Sequence, residues 1–252
     1  MVSLTGYVLN FKFDYASFRR PYSTTSQSSY YLPSLSALKG MIAAILGFER
    51  DEYYKIFDGV LFGIKLNKKP EKFFINTNLL DTSTDFIPYL KYGHVYQRNP
   101  TRIEYVKDLD FDLYLIFDEN CSFGKNLKIY DAILLRSKTN FTLYAGKSHT
   151  LGKYKFLRKA GFEMVPISSE FYVKTVVNPD LNKFVIKDNA NIIIEKDIPY
   201  GFELDDKNSR ILIPKSYQIY FTYPDKTLCI KSGNIFRSVS NREEEITVLN
   251  KE

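Results

Sequence analysis

The first part of the chain alternates large apolar side chains with other residues and then changes to a helical spacing. Every second position from Tyr7 to Phe13 is apolar and aromatic or aliphatic, which is the pattern of a strand with one buried face. After a polar loop, apolar residues recur at steps of three and four, as on one stripe of a helix. This stripe is formed by Leu35, Leu38, Met41, Ile42, Ile45 and Leu46. Ser34 is the predicted N-cap, and Gly47 is predicted to end the helix.

The following segments continue the order strand, helix, strand, strand, helix, strand. Strands are predicted at 60–66, at 72–79, at 102–106 and 111–117 as a hairpin closed by 107–110, and at 141–144; a second helix is predicted at about 125–137. This order is that of a ferredoxin-like or RNA-recognition-motif fold. Such a fold packs its two helices on one face of an antiparallel sheet and leaves the other face or the loops free to hold RNA.

From Phe162 onward the pattern is entirely β. Short strands are predicted at 171–177, 184–186, 191–195, 210–213, 217–223 and 228–231. We therefore predict an α+β protein with a ferredoxin-like domain over residues 1–160 and a smaller antiparallel β module over 161–252. The charged tail from Asn241 onward is expected to be frayed.

The second face of the first predicted helix carries only small side chains. Ser36, Gly40, Ala43, Ala44 and Gly47 lie on it. A face without bulk allows another helix, a strand or a nucleic-acid backbone to approach the helix closely.

A basic, hydroxyl-rich tract leads into this helix. Arg19 and Arg20 are followed by Ser23, Thr24, Thr25 and Ser26. Guanidinium and hydroxyl groups before a helix N-terminus suit phosphate binding, because the free amides and the helix dipole also attract an anion. The alternative is a polar loop that only connects a strand to a helix.

Two later segments also combine cations with features suited to RNA. Residues 80–103 interleave aromatic and basic side chains, among them Tyr92, Tyr96, Arg98 and Arg102, which could stack on bases and hold phosphates; a solvated insertion packed by its own tyrosines is the alternative. Residues 146–155 resemble a P-loop but lack its glycine spacing and its Ser or Thr ligand. Lys147 and Lys153 could still hold a phosphate there, unless the segment is a hairpin turn with solvated lysines.

Composition limits the classes of function only moderately. The net charge of +6 is compatible with nucleic acid but does not demand it. Cys121 and Cys229 give neither a metal-ligand spacing nor a disulfide framework, as expected in a reducing cytosol. The longest apolar run, 41–48, is far shorter than the ~20 residues of a membrane span, and no signal peptide is evident. We expect a soluble cytoplasmic protein.

No metal or cofactor is predicted. Asp110 and Asp112 would share one face of a strand, so a metal site there is imaginable. Surface charges that protect an edge strand against aggregation explain them more simply.

The segment from Asp14 to Phe57 resembles the N-terminal signature of the CRISPR-associated Cas-five family, within the RAMP superfamily. The matching pieces are Asp14-Tyr15-Ala16-x-Phe18-Arg19, Thr24-Thr25-Ser26, Tyr30-x-x-Pro33, Ser36-Ala37-Leu38-x-Gly40, Ala43-Ala44-Ile45-Leu46-Gly47 and Asp51-Glu52-Tyr53. The resemblance implies a subunit of type I Cascade that caps the crRNA 5′ handle and joins the large subunit to the backbone subunit in antiviral defence. It also implies a thumb-like insertion at about 80–110.

From these observations we expect a non-catalytic RNA-binding scaffold. The predicted RNA contacts are Arg19, Arg20, Thr24, Thr25, Ser26, Ser36, Gly40, Tyr92, Tyr96, Arg98, Arg102, Lys147 and Lys153. The alternative is a metal-independent endoribonuclease that processes repeat RNA, because one branch of the family cuts its own repeat with a Tyr, a Lys and a His. His149, Lys147 and Tyr144 would be its catalytic residues.

Overall fold

The computed structural model describes residues 4–23, 26–50, 52–80, 98–165, 170–185, 192–205, 209–233, 235–239 and 244–251. Its first elements are β1 (Leu4–Ala16), β2 (Phe18–Arg19), β3 (Ser26–Gln27), β4 (Ser29–Tyr30), α1 (Leu35–Leu46), β5 (Val60–Leu66), β6 (Glu71–Leu80), β7 (Arg98–Phe117), α2 (Leu127–Leu134) and β8 (Gly152–Val165). Then follow β9 (Phe171–Val173), β10 (Lys183–Val185), β11 (Ile193–Pro199), β12 (Phe202–Leu204), β13 (Arg210–Leu212), β14 (Ser216–Phe221), β15 (Leu228–Ser232), β16 (Ile235–Ser238) and β17 (Glu245–Thr247). Short 3-10 turns at Tyr54–Phe57 and Gly124–Asn126 precede β5 and α2.

β1 lies in the middle of the largest sheet. It pairs antiparallel with β7 on one side and with β8 on the other, and β5 pairs antiparallel with the second half of β7. The local order is therefore β8-β1-β7-β5. The alternate apolar positions from Tyr7 to Phe13 share one core cluster with the buried residues of both helices. The predicted mixed α+β class is confirmed.

α1 forms where the apolar spacing predicted it. Ser34 Oγ accepts a hydrogen bond from the Ala37 amide over 3.4 Å. At the other end Gly47 takes a left-handed conformation with φ +88°, and its amide donates to the Ala43 carbonyl. The six residues of the predicted stripe are all buried, so burial of this stripe fixes which face of the helix remains outside the core.

The hairpin predicted at 102–117 is wrong, because β7 runs through it as one strand of 20 residues. The polar residues at 107–110 were taken for a turn. Their carboxylates instead form ion pairs with lysines outside β7: Lys12 lies 2.9 Å from Asp110, and Lys68 lies 3.0 Å from Asp108. Asp108 has a left-handed φ of +54°, so the backbone is locally irregular without reversing the chain. Leu109, between the two carboxylates, is buried.

β6 and the first half of β7 form an antiparallel ladder from Glu71↔Lys107 to Leu80↔Arg98. Residues 98–103, which the sequence suggested as part of an irregular segment at 80–103, therefore belong to a regular strand. Residues 81–97 of the predicted insertion lie outside the described residues.

The second half of the chain is all β where it is described, but it does not separate from the first sheet. β8 crosses residue 160, and β16 pairs with its end from Ile235↔Val165 to Ser238↔Phe162. Val248 and Leu249 are buried, and the Leu249 amide donates to the Phe62 carbonyl. The expected frayed tail is thus wrong for 245–249. The strand predicted at 141–144 is wrong as well, because these described residues contain only a single bridge, from Tyr144 to Leu151.

Neither helix in the described ranges is long and apolar enough to cross a membrane.

Candidate nucleic-acid interface

The small face of α1 is only partly open, because Ala43, which was predicted to lie on it, is buried in the core cluster. Ser36, Gly40 and Ala44 are partly exposed and line an open groove of about 1040 Å³. A side chain at Gly40 would contact the Tyr53 hydroxyl, because an added Cβ would lie 3.3 Å from that oxygen. The Tyr53 hydroxyl therefore already occupies the space beside Gly40, and the open part of the groove floor lies at Ser36 and Ala44.

Charged and aromatic residues from distant parts of the chain surround this floor. Arg19 comes from β2, Arg50 follows α1, and Arg210 begins β13. Tyr54 and Tyr144 line the groove as well, and 46% of Tyr144 is exposed. The groove thus combines guanidinium groups with aromatic faces, which is the combination that single-stranded RNA uses.

The N-terminus of α1 is less available to an anion than the sequence suggested. The Leu35 amide donates to the Tyr217 hydroxyl over 3.1 Å, and the Ala37 amide is taken by the Ser34 cap. Ser34 and Ser36 also lie within hydrogen-bond distance of each other, 3.1 Å between hydroxyl oxygens. Two amides proposed for phosphate are therefore already bonded, and the small face of the helix is the stronger candidate surface.

The two adjacent arginines have different environments. Arg19 is exposed, lines the groove, and donates from Nη2 to the Ser23 carbonyl over 2.9 Å. Arg20 instead lies 3.3 Å from Glu195 Oε1 and covers the ring of Tyr30. Arg19 is therefore placed to meet a ligand in the groove, whereas Arg20 has a structural partner.

Glu195 is the buried centre of that second environment, with only 2% of it exposed. Burial raises the pKa of its carboxyl group, against the hydrogen bond from the Tyr31 amide and the nearby charges of Lys72 and Arg20. Both carboxyl oxygens lie 2.9 Å from the Tyr31 nitrogen. Lys72 also lies 3.4 Å from Glu104, so this network ties the segment before α1 to β6, β7 and β11.

The loop after Ala145 brings a lysine towards Arg19. Gly146 has φ +88°, and a Cβ there would overlap the Ser17 carbonyl oxygen, so only glycine allows this close approach. Lys147 Nζ donates to Gln27 Oε1 over 2.7 Å. Burial and the positive charge of Arg19 lower the pKa of Lys147, so the two cations lie close enough to repel each other.

Ser26 and Arg102 lie beside this loop. β3 pairs in parallel with β7, opposite Ser26↔Arg102 and Gln27↔Ile103. The Arg102 guanidinium carbon lies 4.0 Å above the centre of the Phe74 ring. This cation–π contact supports the guanidinium group while leaving it exposed. The pairing of β3 with β7 therefore places Ser26 beside Arg102, and the neighbouring Gln27 bonds Lys147, which lies near Arg19.

The remaining predicted contacts are not all part of this surface. Lys153 pairs with Lys12 on β1, whereas Phe13 of the next position belongs to the helix-side core. Since paired residues share a sheet face and successive residues alternate, Lys153 projects from the face opposite α1. Thr24, Thr25, Tyr92, Tyr96 and His94 lie outside the described residues, as does the side chain of Arg98.

The carboxylates of Asp110 and Asp112 lie on the sheet face opposite the helices, where other polar side chains bind them. Asn10 donates to Asp110 over 2.8 Å and to Asp112 over 2.9 Å, and Asn67 bonds both as well. Lys12 completes the cluster with its ion pair to Asp110. Across the described ranges, no three His, Cys, Asp or Glu side chains are grouped so that they could hold a metal ion.

His149 has a tyrosine partner that the sequence did not indicate. Its Nε2 lies 2.9 Å from the Tyr105 hydroxyl, whereas the predicted partner Tyr144 faces the α1 groove. Phe73 stacks on Tyr105, with ring centroids 5.8 Å apart. Tyr105 is 44 residues from His149 along the chain, so no local spacing could have found this pair.

Comparison with known proteins identifies the family. The family model described as CRISPR-associated protein (Cas_Cas5) matches residues 6–143, which is more than half of the chain. The chain belongs to the CRISPR-associated Cas5 family, as its N-terminal signature suggested. Membership gives it a role in CRISPR defence. A comparison with curated proteins gives no match.

Several solved structures are distantly similar. One, titled "CRISPR RNA-guided surveillance complex", is 14% identical, with a TM-score of 0.48 and coverage of 89% of this chain and 91% of that chain. A CRISPR protein from Archaeoglobus fulgidus is 8% identical, with a TM-score of 0.46 and coverage of 98% and 100%. A third, titled "Crystal Structure of CRISPR-associated Protein", is 12% identical with a TM-score of 0.40 and coverage of 97% and 92%.

Proposed function

We propose that this chain is an RNA-binding structural subunit of a type I CRISPR interference (Cascade) complex and that it seats the crRNA 5′ handle. The observation that carries the proposal is the open groove beside α1, whose floor is made of small side chains and whose wall includes Arg19. A ribose-phosphate chain needs both close approach and a cation for each phosphate that it brings near the protein. The groove supplies both.

The neighbouring surface extends this seat. Lys147 lies close enough to Arg19 for their charges to interact, and Ser26 and Arg102 follow along β3 and β7. The exposed ring of Tyr144 offers a stacking face for an unpaired base. A strand of RNA in the groove would thus leave it towards the loop that carries Lys147.

The finer features of the fold are part of the same proposal. The order β8-β1-β7-β5 with α1 and α2 on one face supports a ferredoxin-like RAMP domain over residues 1–160. The β6–β7 ladder would be the base of a thumb-like insertion. Residues 161–252 would form the smaller β module, which remains joined to the first sheet through the pairing of β16 with β8. The bridging of the large and backbone subunits, and a cytoplasmic location, follow from the family resemblance.

Substitution of the groove arginine tests the RNA seat. We expect Arg19→Ala to weaken binding of single-stranded repeat RNA several-fold and to reduce the slope of log K against log salt by about 0.7, the value of one single-strand phosphate contact. Arg136→Ala, at an exposed arginine after α2 that does not line the groove, is the matched control. An affinity and a slope that stay unchanged in Arg19→Ala would remove the groove from RNA binding.

A second candidate function is metal-independent cleavage of repeat RNA. The observation that favours it is the 2.9 Å contact between His149 and Tyr105, with Lys147 two residues away. Cleavage at a 2′-hydroxyl needs a base, an acid and a cation. His149, Tyr105 and Lys147 have those chemistries.

Incubation of the purified protein with repeat RNA in EDTA distinguishes the two functions. The scaffold proposal predicts intact RNA. A discrete product that disappears in His149→Ala, while RNA binding persists, would establish the nuclease and overturn the non-catalytic assignment.

A further inference from the structure

A second, smaller cavity adjoins the groove and has a different chemistry. It measures about 430 Å³, and the Tyr30 ring lines both cavities. The hydroxyl-rich tract lines one side, through Tyr22, Ser26 and Ser28, and β11 contributes Lys196 and Asp197. Arg19 therefore faces the groove, and the next residue, Arg20, lines this second cavity.

An irregularity in β11 presents two charged side chains to the cavity. The pairing of β11 with β14 shifts between Glu195 and Ile198, and Asp197 has a left-handed φ of +58°. The Tyr30 hydroxyl donates to the Asp197 carbonyl, which holds this conformation against the N-terminal tract. Bulges of this kind re-aim side chains, and strained backbone of a non-glycine residue indicates function more often than chance.

The polar groups of the cavity are available to a ligand. Lys196 and Asp197 are exposed, and no ion pair of either is found within the described residues. The hydroxyls of Ser26 and Ser28 likewise make no side-chain hydrogen bond to the part of the chain that is described. Tyr22 is 71% exposed, so its ring presents an open face beside these groups.

This chemistry selects the nucleoside part of a nucleotide over a bare phosphate. Arg20 also lines the cavity, but it is already paired with Glu195, and the Asp197 carboxylate repels a phosphate beside it. Hydroxyls and a carboxylate instead accept hydrogen bonds from base amino groups and ribose hydroxyls. An exposed tyrosine ring can stack on any base, and Lys196 can hold the attached phosphate at the rim. A volume of about 430 Å³ suits one small ligand and not a folded chain.

We propose that this cavity binds one unstacked ribonucleotide of the RNA that occupies the groove, with its base on Tyr22 and its phosphate at Lys196. The inference rests on the proposed RNA seat beside α1. The inference adds that one nucleotide turns away from the path of the RNA near Tyr30 and binds apart from its neighbours.

Coupling between an RNA position and Tyr22 tests this inference. Single-stranded repeat RNAs that each carry one abasic nucleotide are titrated with the full chain and with Tyr22→Ala. One abasic position should lower the affinity of the unchanged protein about tenfold, the typical effect of one stacked base, and should have no effect on Tyr22→Ala. Tyr172→Ala, at a 55% exposed tyrosine that lines neither cavity, should keep the abasic effect.

Lys196→Ala provides a second measurement on the same cavity. It should reduce the salt slope by about 0.7, whereas Lys174→Ala, at an exposed lysine on the strand segment after β9, should not. If Arg19→Ala weakens RNA binding but no abasic position couples to Tyr22, the cavity inference is overturned alone. If neither substitution affects binding, the RNA seat itself is overturned.

Discussion

Lys147 Nζ donates a hydrogen bond to Gln27 Oε1 over 2.7 Å, and this bond joins a loop to a strand across 120 residues of the chain. Gln27 lies on β3, beside the tract that leads into α1, and Lys147 lies on the loop before β8. The contact holds a lysine of lowered pKa near Arg19. The phosphate-binding edge that we propose therefore depends on tertiary packing and not on one sequence motif.

The lowered pKa of Lys147 predicts how RNA binding responds to alkaline pH. Burial and Arg19 lower the pKa in the free protein, and a bound phosphate would raise it again. The affinity for RNA should be highest at pH values below the pKa of Lys147 in the free protein and should fall as the pH rises through that pKa. In this range, binding should be accompanied by proton uptake. Titrations with RNA at several alkaline pH values measure this.

Lys147→Arg is the control for that pH dependence, because arginine stays charged throughout the range. We expect the variant to bind RNA with a flatter pH profile. A profile equal to that of the unchanged protein would show that Lys147 does not approach a phosphate.

Gly146→Ala should disturb the same edge through the backbone. A Cβ at residue 146 overlaps the Ser17 carbonyl oxygen, and φ is +88°, so we expect a loss of about 1–3 kcal/mol in the free energy of unfolding. Thermal or denaturant unfolding measures the change, and RNA affinity should fall in parallel because Lys147 moves.

Gly201→Ala is the matched substitution for this test. An added Cβ at Gly201 would lie 3.5 Å from Ile213 Cδ1, an ordinary contact. Equal unfolding free energies for Gly146→Ala and the unchanged protein would contradict the packing of the 146 loop against the Ser17 backbone.

Asp110 should contribute stability that is lost in acid. Burial raises its pKa, but hydrogen bonds from Lys12, Asn10 and Asn67 outweigh burial and hold the pKa below its usual value. A carboxyl group with a lower pKa in the folded state stabilises the fold above its unfolded pKa of about 3.9. That contribution disappears as the pH falls through the folded-state pKa.

Denaturant unfolding at pH values from neutral to about 2 measures this contribution. Asp110→Asn should be less stable than the unchanged chain near neutral pH, and the difference should shrink on acidification. A difference that stays constant with pH would show that the Lys12–Asp110 cluster does not stabilise the charged carboxylate.

Glu195→Ala should destabilise the junction between the N-terminal tract and β11. The substitution leaves Arg20 without its carboxylate partner, leaves Lys72 with Glu104 alone, and removes the acceptor for the Tyr31 amide. We expect a loss of about 2–4 kcal/mol in the free energy of unfolding, since Arg20 keeps partial access to water. Glu195→Gln, which retains an acceptor for that amide, should lose less; an equal loss would contradict this assignment of the hydrogen bond.

Local sequence patterns correctly predicted the elements whose buried face is determined by residues close together in the sequence. α1 is an example, because its stripe, its Ser34 cap and its terminal Gly47 all lie within 14 residues. Long-range contacts decided the places where the prediction failed. The charged residues at 107–110 looked like a turn, since their partners are distant in sequence: Lys12 lies on β1 and Lys68 lies between β5 and β6.

The same distinction applies to the site. The small face of α1 was visible in the sequence, because helical periodicity alone separates it from the apolar stripe. The different environments of Arg19 and Arg20 were not visible in the sequence, because they depend on Glu195, which is 175 residues from Arg20. His149 was likewise assigned the nearby Tyr144, whereas the fold brings Tyr105 to it.

Filling the groove tests the central claim most directly. Ala44 is partly exposed on the groove floor, so Ala44→Leu adds bulk where we expect RNA while keeping a good helix former. Ala132→Leu, at an exposed alanine on α2, adds the same bulk elsewhere. The account predicts that the affinity for single-stranded repeat RNA falls at least about tenfold in Ala44→Leu only, with the thermal unfolding midpoint unchanged. Equal affinities of the two variants and the unchanged protein would contradict it.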